Sequence, residues 1–266
     1  MTILAPTSTA SWLTTATTIA MRTIVKILRT PQIVGIAIVQ SIVFLLMFRY
    51  VLGGAIGVRG VSYVEFLVPG FVVSGLLFTA GGSAVAVAED AASGLYDRLR
   101  SLPISDTAVL VGRAIADAAL MVLVGLVTFG VGFIVGFGIE GSALDVLFAV
   151  GLLVIYALGV AGIFVWLGLV SGGAQAAQGL SILAVPFSFV SSAFVPVKSM
   201  PGVLEAFANW QPLTFMVNSW RGLLLGDAAT KSFEHSLDYY VIGSLAWAVG
   251  LAVVIAPLAL RTYRKR

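Results

Sequence analysis

The chain has 266 residues, of which 59% are hydrophobic and only 10% charged, and its mean hydropathy is +1.07. Soluble domains carry about 25% charged residues, so a soluble globular domain is excluded and a polytopic all-α membrane protein is expected. The net charge is +3 and cysteine is absent, which excludes disulfides, thiolate metal sites and cysteine nucleophiles.

The basic residues stand at the ends of apolar runs, a pattern of membrane topology and not of nucleic-acid binding. Residues 9–30 have the first amphipathic pattern. Arg22, Lys26 and Arg29 share one helical face with Thr15 and Thr18, and Leu13, Ala20, Ile24, Ile27 and Leu28 share the other. That arrangement predicts a helix lying in the membrane interface with its basic side toward anionic lipid heads. A poorly ordered tail is the alternative. Residues 1–20 lack the charged start, compact apolar core and cleavage site of a secretory signal, so a cleaved signal peptide is not expected.

Pro31 leads into a first span predicted over 32–52, with Arg49 near its far end. The loop GGAIGVRG follows, then span 2 over 65–88. The stretch 89–103, EDAASGLYDRLRSLP, holds the densest charge of the chain's interior. On a helix Leu95, Leu99 and Leu102 fall on one face, with Asp97, Arg100 and Ser101 opposite. A short charged helix of this kind suits a partner better than lipid. Span 3 is expected over 108–138. It begins with Arg113 and Asp117, whose i, i+4 spacing lets them pair near an interface.

Between Asp145 and Lys198 lie 52 uncharged residues. At about 1.5 Å per residue they exceed one crossing of a ~30 Å hydrocarbon core. Two spans fit, 144–170 and 176–195, with a turn at Ser171-Gly172-Gly173-Ala174-Gln175. The mixed segment 197–238 contains Pro201, Trp210, Pro212 and Trp220, and neither half is apolar enough to cross. It is expected to form one or two short re-entrant helices in the outer leaflet. Span 6, 239–260, ends in Arg261, Arg264, Lys265 and Arg266. Six spans put both termini on one side with ten of the 15 basic residues, so the termini and the 89–103 stretch are expected to be cytoplasmic.

The chain has no GxxxxGK[ST] loop for ATP. His235, beside Glu234 and Asp238, reads as a solvated loop histidine and not a metal ligand. No serine stands near a histidine or lysine at membrane depth, which rejects intramembrane serine proteolysis. Arg49, Arg113 and Asp117 lie within snorkelling reach of an interface. No buried carboxylate is evident to drive a proton- or sodium-coupled carrier, so energy is expected from outside the chain.

Gly94-Leu95-Tyr96-Asp97-Arg98-Leu99-Arg100-Ser101-Leu102-Pro103 is similar to the cytoplasmic motif of ABC-2 type permeases. Its second half resembles most closely the daunorubicin-resistance membrane subunits. A second match runs Pro186-Phe187-Ser188-Phe189-Val190-Ser191-Ser192-Ala193-Phe194-Val195-Pro196 and continues to Met200-Pro201, Pro212-Leu213-Thr214 and Arg221. Gln211-Pro212 departs from the family's more frequent Asn-Pro. The resemblance spans about residues 20–260.

It implies a non-enzymatic permease subunit of an exporter in the bacterial plasma membrane. A separate ABC subunit would bind ATP and Mg, and a second copy or a similar permease would complete the complex. The cargo would be a hydrophobic or amphipathic drug, antibiotic, lipid or glycan. Within 89–103, Glu89, Asp90, Gly94, Leu95, Asp97, Arg98, Leu99, Arg100, Leu102 and Pro103 would couple to the ATPase. Phe187, Phe189, Ser191, Ser192 and Phe194 are candidates for the substrate path, with helix packing as their alternative role. A stand-alone secondary carrier or channel, or a membrane anchor for a soluble partner, are the competing readings.

Overall fold

The computed structural model describes residues 11–53, 62–231 and 233–265. Residues 9 and 10, most of the loop after the first span with Arg59, and Arg266 lie outside the described residues. Helices and no strand occur among the described residues. In lipid every backbone N–H and C=O must find an internal partner, and a helix supplies these within one segment.

Helix α1 (Trp12–Leu28) precedes α2 (Pro31–Met47), which a π-helical turn extends over Phe48–Leu52. Helix α3 (Tyr63–Ala92) starts from a capping box in which the Ser62 hydroxyl and the Glu65 carboxylate each accept the other's backbone N–H. A one-and-a-half-turn helix α4 (Leu95–Arg100) leads to α5 (Asp106–Ile134). Helix α6 (Ala143–Val170) again begins with a capping box, Ser142 and Asp145. Short helices α7 (Ala174–Ser181) and α8 (Ala184–Phe189) follow. A 3-10 turn, Val197–Ser199, then leads to α9 (Gly202–Trp210), α10 (Pro212–Leu225) and α11 (Asp227–Thr230), and the described chain closes with α12 (Leu237–Lys265).

Among the described residues five helices are long and apolar enough to cross a membrane: α2 with its extension, α3, α5, α6 and α12. A continuous helix over 176–195 is not formed. Leu183 and Val185 donate to Leu180 and Ile182, three residues back. Pro186 has no N–H for the Ile182 carbonyl, and the chain leaves helical geometry after Phe189. This broken segment runs beside α3, with Ser181 at Gly81 and the Ala193 backbone at Gly70.

Helix α3 is the centre of the bundle. Of its apolar stretch 67% is buried, against 17% for α2 and for α12. At one end, here called proximal, α1, α4 and the last turns of α12 meet. At the distal end lie α9, α10 and α11. Helix α10 is a core element packed among α3, α6 and α12. Its Trp220 indole is fully buried and donates to the Ala149 carbonyl at 2.6 Å, and its Ser219 hydroxyl meets that of Ser244 at 3.0 Å. In α9 the large side chains Val203, Phe207 and Trp210 are exposed.

Helix α1 packs on the bundle through a narrow stripe of its surface. Thr15, Ala16, Ile19, Ala20 and Thr23 are buried, while Leu13, Met21, Leu28, Arg22 and Arg29 are exposed. The reason lies in α5, where Gly112 brings its backbone so close that a Cβ there would collide with the Ala16 carbonyl. Close approach selects small residues in preference to branched apolar ones.

Candidate functional site

The charged stretch 89–103 does not fold as one helix. Glu89 and Asp90 complete α3, and Gly94 then turns the chain at φ 71°, a left-handed conformation that glycine adopts without penalty. The anchor of α4 is Tyr96. Its buried ring stands edge-on to Tyr263 of α12 with centroids 5.4 Å apart. Burial pushes the phenol well above its ordinary pKa, so it stays neutral. Arg100 pairs with Asp97 and donates to the Tyr263 carbonyl at 3.1 Å, and Arg264 pairs with Asp106 at 2.9 Å.

Leu95, Leu99 and Leu102 therefore do not form a shared free face. Leu99 packs on the Tyr96 cluster, Leu95 is half-buried, and only Leu102 is exposed. The outward residues are Asp97, Arg98, Ser101, Leu102 and Pro103. The Arg98 guanidinium has no partner among the described residues. An aromatic residue in a charged stretch was the available signal for the inward face.

Just ahead of the Gly94 turn sits a four-member ion network. Asp90 accepts from Lys26 of α1 at 2.9 Å and from Arg113 of α5 at 2.7 Å. Arg113 also holds Asp117 at 2.9 Å and reaches the Ser83 carbonyl at 3.4 Å. The expected Arg113–Asp117 pair is present, and it is buried inside the bundle. Asp90, Arg113 and Asp117 are all buried, so the chain does hold interior carboxylates. Arg113 stands seven residues into α5, roughly 10 Å from the helix end, and α1 covers the network. Two cations match two anions, leaving no net charge.

A second polar cluster holds the non-helical tract after α8. Arg221 of α10 donates to the carbonyls of Ser192 at 2.6 Å, Ala193 at 3.1 Å and Phe66 at 3.0 Å, and stacks 3.6 Å from the Phe66 ring centre. The Gln211 amide donates to the Val190 carbonyl, the Ser192 N–H to the Thr214 hydroxyl at 3.1 Å, and the Ser192 hydroxyl to Asn218 at 3.0 Å. Irregular backbone between apolar helices survives only when protein groups satisfy it. These are those groups.

Of the candidate path residues, Ser191, Ser192 and Phe194 face inward. Phe194 packs against Phe48, Phe71 and Phe189 at 5.1, 5.7 and 4.9 Å between ring centres. Phe187 is half-buried and meets Phe207 of α9, and only Phe189 is exposed.

None of those five residues lines the space beside α2 and α3. A cavity of about 530 Å³ lies among α1, α2, α3, α5 and α7. Ile33, Ile36, Phe44, Phe78, Ile182 and Val185 form apolar walls, and Lys26, Arg113 and Asp117 close its proximal end. Gln40 of α2 and Gln178 of α7 also line it, and both are exposed.

The ABC-2 type transporter family profile matches residues 14–225. The chain is 30% identical over 231 residues to the daunorubicin resistance ABC transporter permease protein DrrB1 of Streptomyces coeruleorubidus, covering 86% of this chain and 78% of that protein. It is 27% identical over 230 residues to the probable doxorubicin resistance ABC transporter permease protein DrrC of Mycobacterium tuberculosis, covering 84% and 79%.

Proposed function

Because the chain belongs to the ABC-2 type transporter family, we propose that it is the membrane-spanning permease subunit of an ATP-driven exporter of amphipathic or hydrophobic molecules. The observation that carries this reading is the exposed ridge Asp97, Arg98, Leu102 and Pro103, held outside the bundle by the buried Tyr96 anchor. A rigidly mounted charged ridge gives a soluble partner orientation through its rim charges. The partner is an ABC subunit that binds ATP and Mg. It docks on α4, and force passes through the Gly94 turn to Asp90 and the ion network.

In this reading both termini and α4 face the cytoplasm of a bacterial cell. The broken segment 174–196 makes the sixth crossing, and a second copy or similar permease completes the channel. Export is tested by co-reconstituting the chain with its ATPase in proteoliposomes and measuring ATP-dependent uptake of a fluorescent hydrophobic drug. Equal uptake without ATP removes the proposal.

The buried Asp90 and Asp117 are the one feature that favours a stand-alone carrier. Both are already neutralised by Arg113 and Lys26, so neither is free to exchange an ion. The purified chain alone is expected to give no gradient-coupled flux.

A further inference from the structure

We infer that α1 is an anionic-phospholipid site, in which Arg22 and Arg29 each hold a head-group phosphate while Leu13, Met21 and Leu28 lie among the acyl chains. The inference goes beyond the transport reading and rests only on the membrane class of the chain, so its failure leaves export standing.

Depth is fixed at both ends of the helix. Arg29 stands two residues before Pro31, where the apolar span Pro31–Val51 begins. That span has 21 residues, about 31 Å of helix, and a hydrocarbon core of about 30 Å takes it up entirely. Two residues reach at most about 7 Å, and the head-group layer is about 5–7 Å deep on each side. Arg29 therefore lies at head-group depth. At the other end the Trp12 indole donates to the Thr107 hydroxyl at 3.0 Å. Thr107 follows Asp106, the first residue of α5, whose carboxylate pairs with Arg264 at the proximal end. Tryptophan beside charged groups is at home at the membrane–water boundary. Helix α1 thus lies along that boundary and not across the bilayer.

The charges call for an anion from outside the chain. No acidic residue precedes Glu65. Arg22 and Arg29 are exposed, and neither has a hydrogen-bond or ion-pair partner among the described residues. Seven residues apart, they share one flank of α1 at about 10 Å from each other along the axis. That spacing suits two phosphates, one for each guanidinium fork. Lys26 stands between them but is committed to Asp90 at 2.9 Å, so it adds to the field and makes no contact of its own.

The rest of the surface says that the anion belongs to a lipid. Leu13, Met21 and Leu28 are exposed on a different flank from the arginines. A soluble acidic partner seated on the arginines leaves these three side chains in water. The edge of a bilayer takes both flanks at once, phosphate on one and hydrocarbon on the other.

The experiment places the full chain in phosphatidylcholine nanodiscs doped with a trace photoprobe at about 0.1 M salt, where charges within about 10 Å still act. The probe is either phosphatidylglycerol or phosphatidylcholine, each with a diazirine high in one acyl chain. Labelled peptides are mapped by mass spectrometry. The glycerol probe is expected to label 12–30 about tenfold more than the choline probe, the scale set by two arginines at an anionic surface. Arg22→Gln with Arg29→Gln is expected to bring the two probes to equality there and to leave the thermal midpoint in place, since neither side chain holds the fold. Arg22→Lys with Arg29→Lys keeps the preference, because charge sorts the head groups.

Equal labelling of 12–30 by both probes in the parent chain overturns the proposal. So does a preference that survives Arg22→Gln with Arg29→Gln but is lost on Arg261→Gln with Lys265→Gln, which gives the lipid to the basic tail. The purified ABC ATPase subunit is then added to the same discs. Unchanged labelling of 12–30 supports the lipid site, and loss of labelling by both probes shows that a protein covers α1 and that the lipid site is wrong.

Discussion

Single side chains divide the 89–103 region into groups that hold the fold and groups that face outward. Tyr96 is buried against Tyr263, and truncating a buried aromatic costs about 3–5 kcal/mol. Tyr96→Ala is therefore expected to lower the thermal midpoint of the purified chain clearly, while Tyr96→Phe stays close to the parent. Arg98 has no partner among the described residues, and the exposed Asp97–Arg100 pair is worth at most about 1 kcal/mol, so Asp97→Ala with Arg98→Ala should shift that midpoint little. The same pair of changes is expected to reduce substrate-stimulated ATPase activity of the reconstituted complex about tenfold, the scale of one interface hot spot. Normal transport by that variant would remove the coupling role. Arg221 is the opposite case. Arg221→Met strands the carbonyls of Phe66, Ser192 and Ala193, at a cost of at least about 3 kcal/mol, and Arg221→Lys cannot rescue it because one ammonium lacks the planar fork.

At the scale of elements, the ion network ties α1, α3 and α5 together, but its bonds are unequal. Lys26 is half-exposed, with 52% of its side chain accessible, and Lys26→Gln is expected to cost no more than about 1 kcal/mol. Arg113→Met leaves Asp117 and Asp90 buried beside a single half-exposed cation, and breaking such a pair costs about 3–5 kcal/mol. Chemical denaturation of the two variants side by side checks the ranking. The contact between α1 and α5 depends on closeness instead of charge. Gly112→Val is expected to lift α1 off the bundle, seen as faster proteolysis within Trp12–Leu28 while the long helices stay protected. Sequence pattern located α1 and the Arg113–Asp117 spacing, but not the stripe of Thr15, Ala16, Ile19, Ala20 and Thr23 through which α1 packs. Periodicity reports which residues share a face. It does not report which neighbour that face meets.

Across the whole molecule, the five long helices enclose two polar systems of different kinds. One is the neutral ion network beneath α1. The other is the grip of α10 on the tract after α8. Between them lies the space of about 530 Å³, bounded at its proximal end by the network and open toward the side. Reconstitution with the ATPase should give ATP-dependent uptake, and the chain alone should give none.

The sequence by itself determined the membrane class, the positions of the five long helices within a few residues, and the charged motif with its family. These follow from runs of apolar residues and from local spacing, which no distant contact can change. The tertiary structure decided what depends on neighbours far along the chain. Phe66 and Arg221 are 155 positions apart, and only their meeting explains how a helix can break after Phe189 inside an apolar bundle. Asp90 and Lys26 are 64 apart, and only the covering helix turns an interface pair into a buried network.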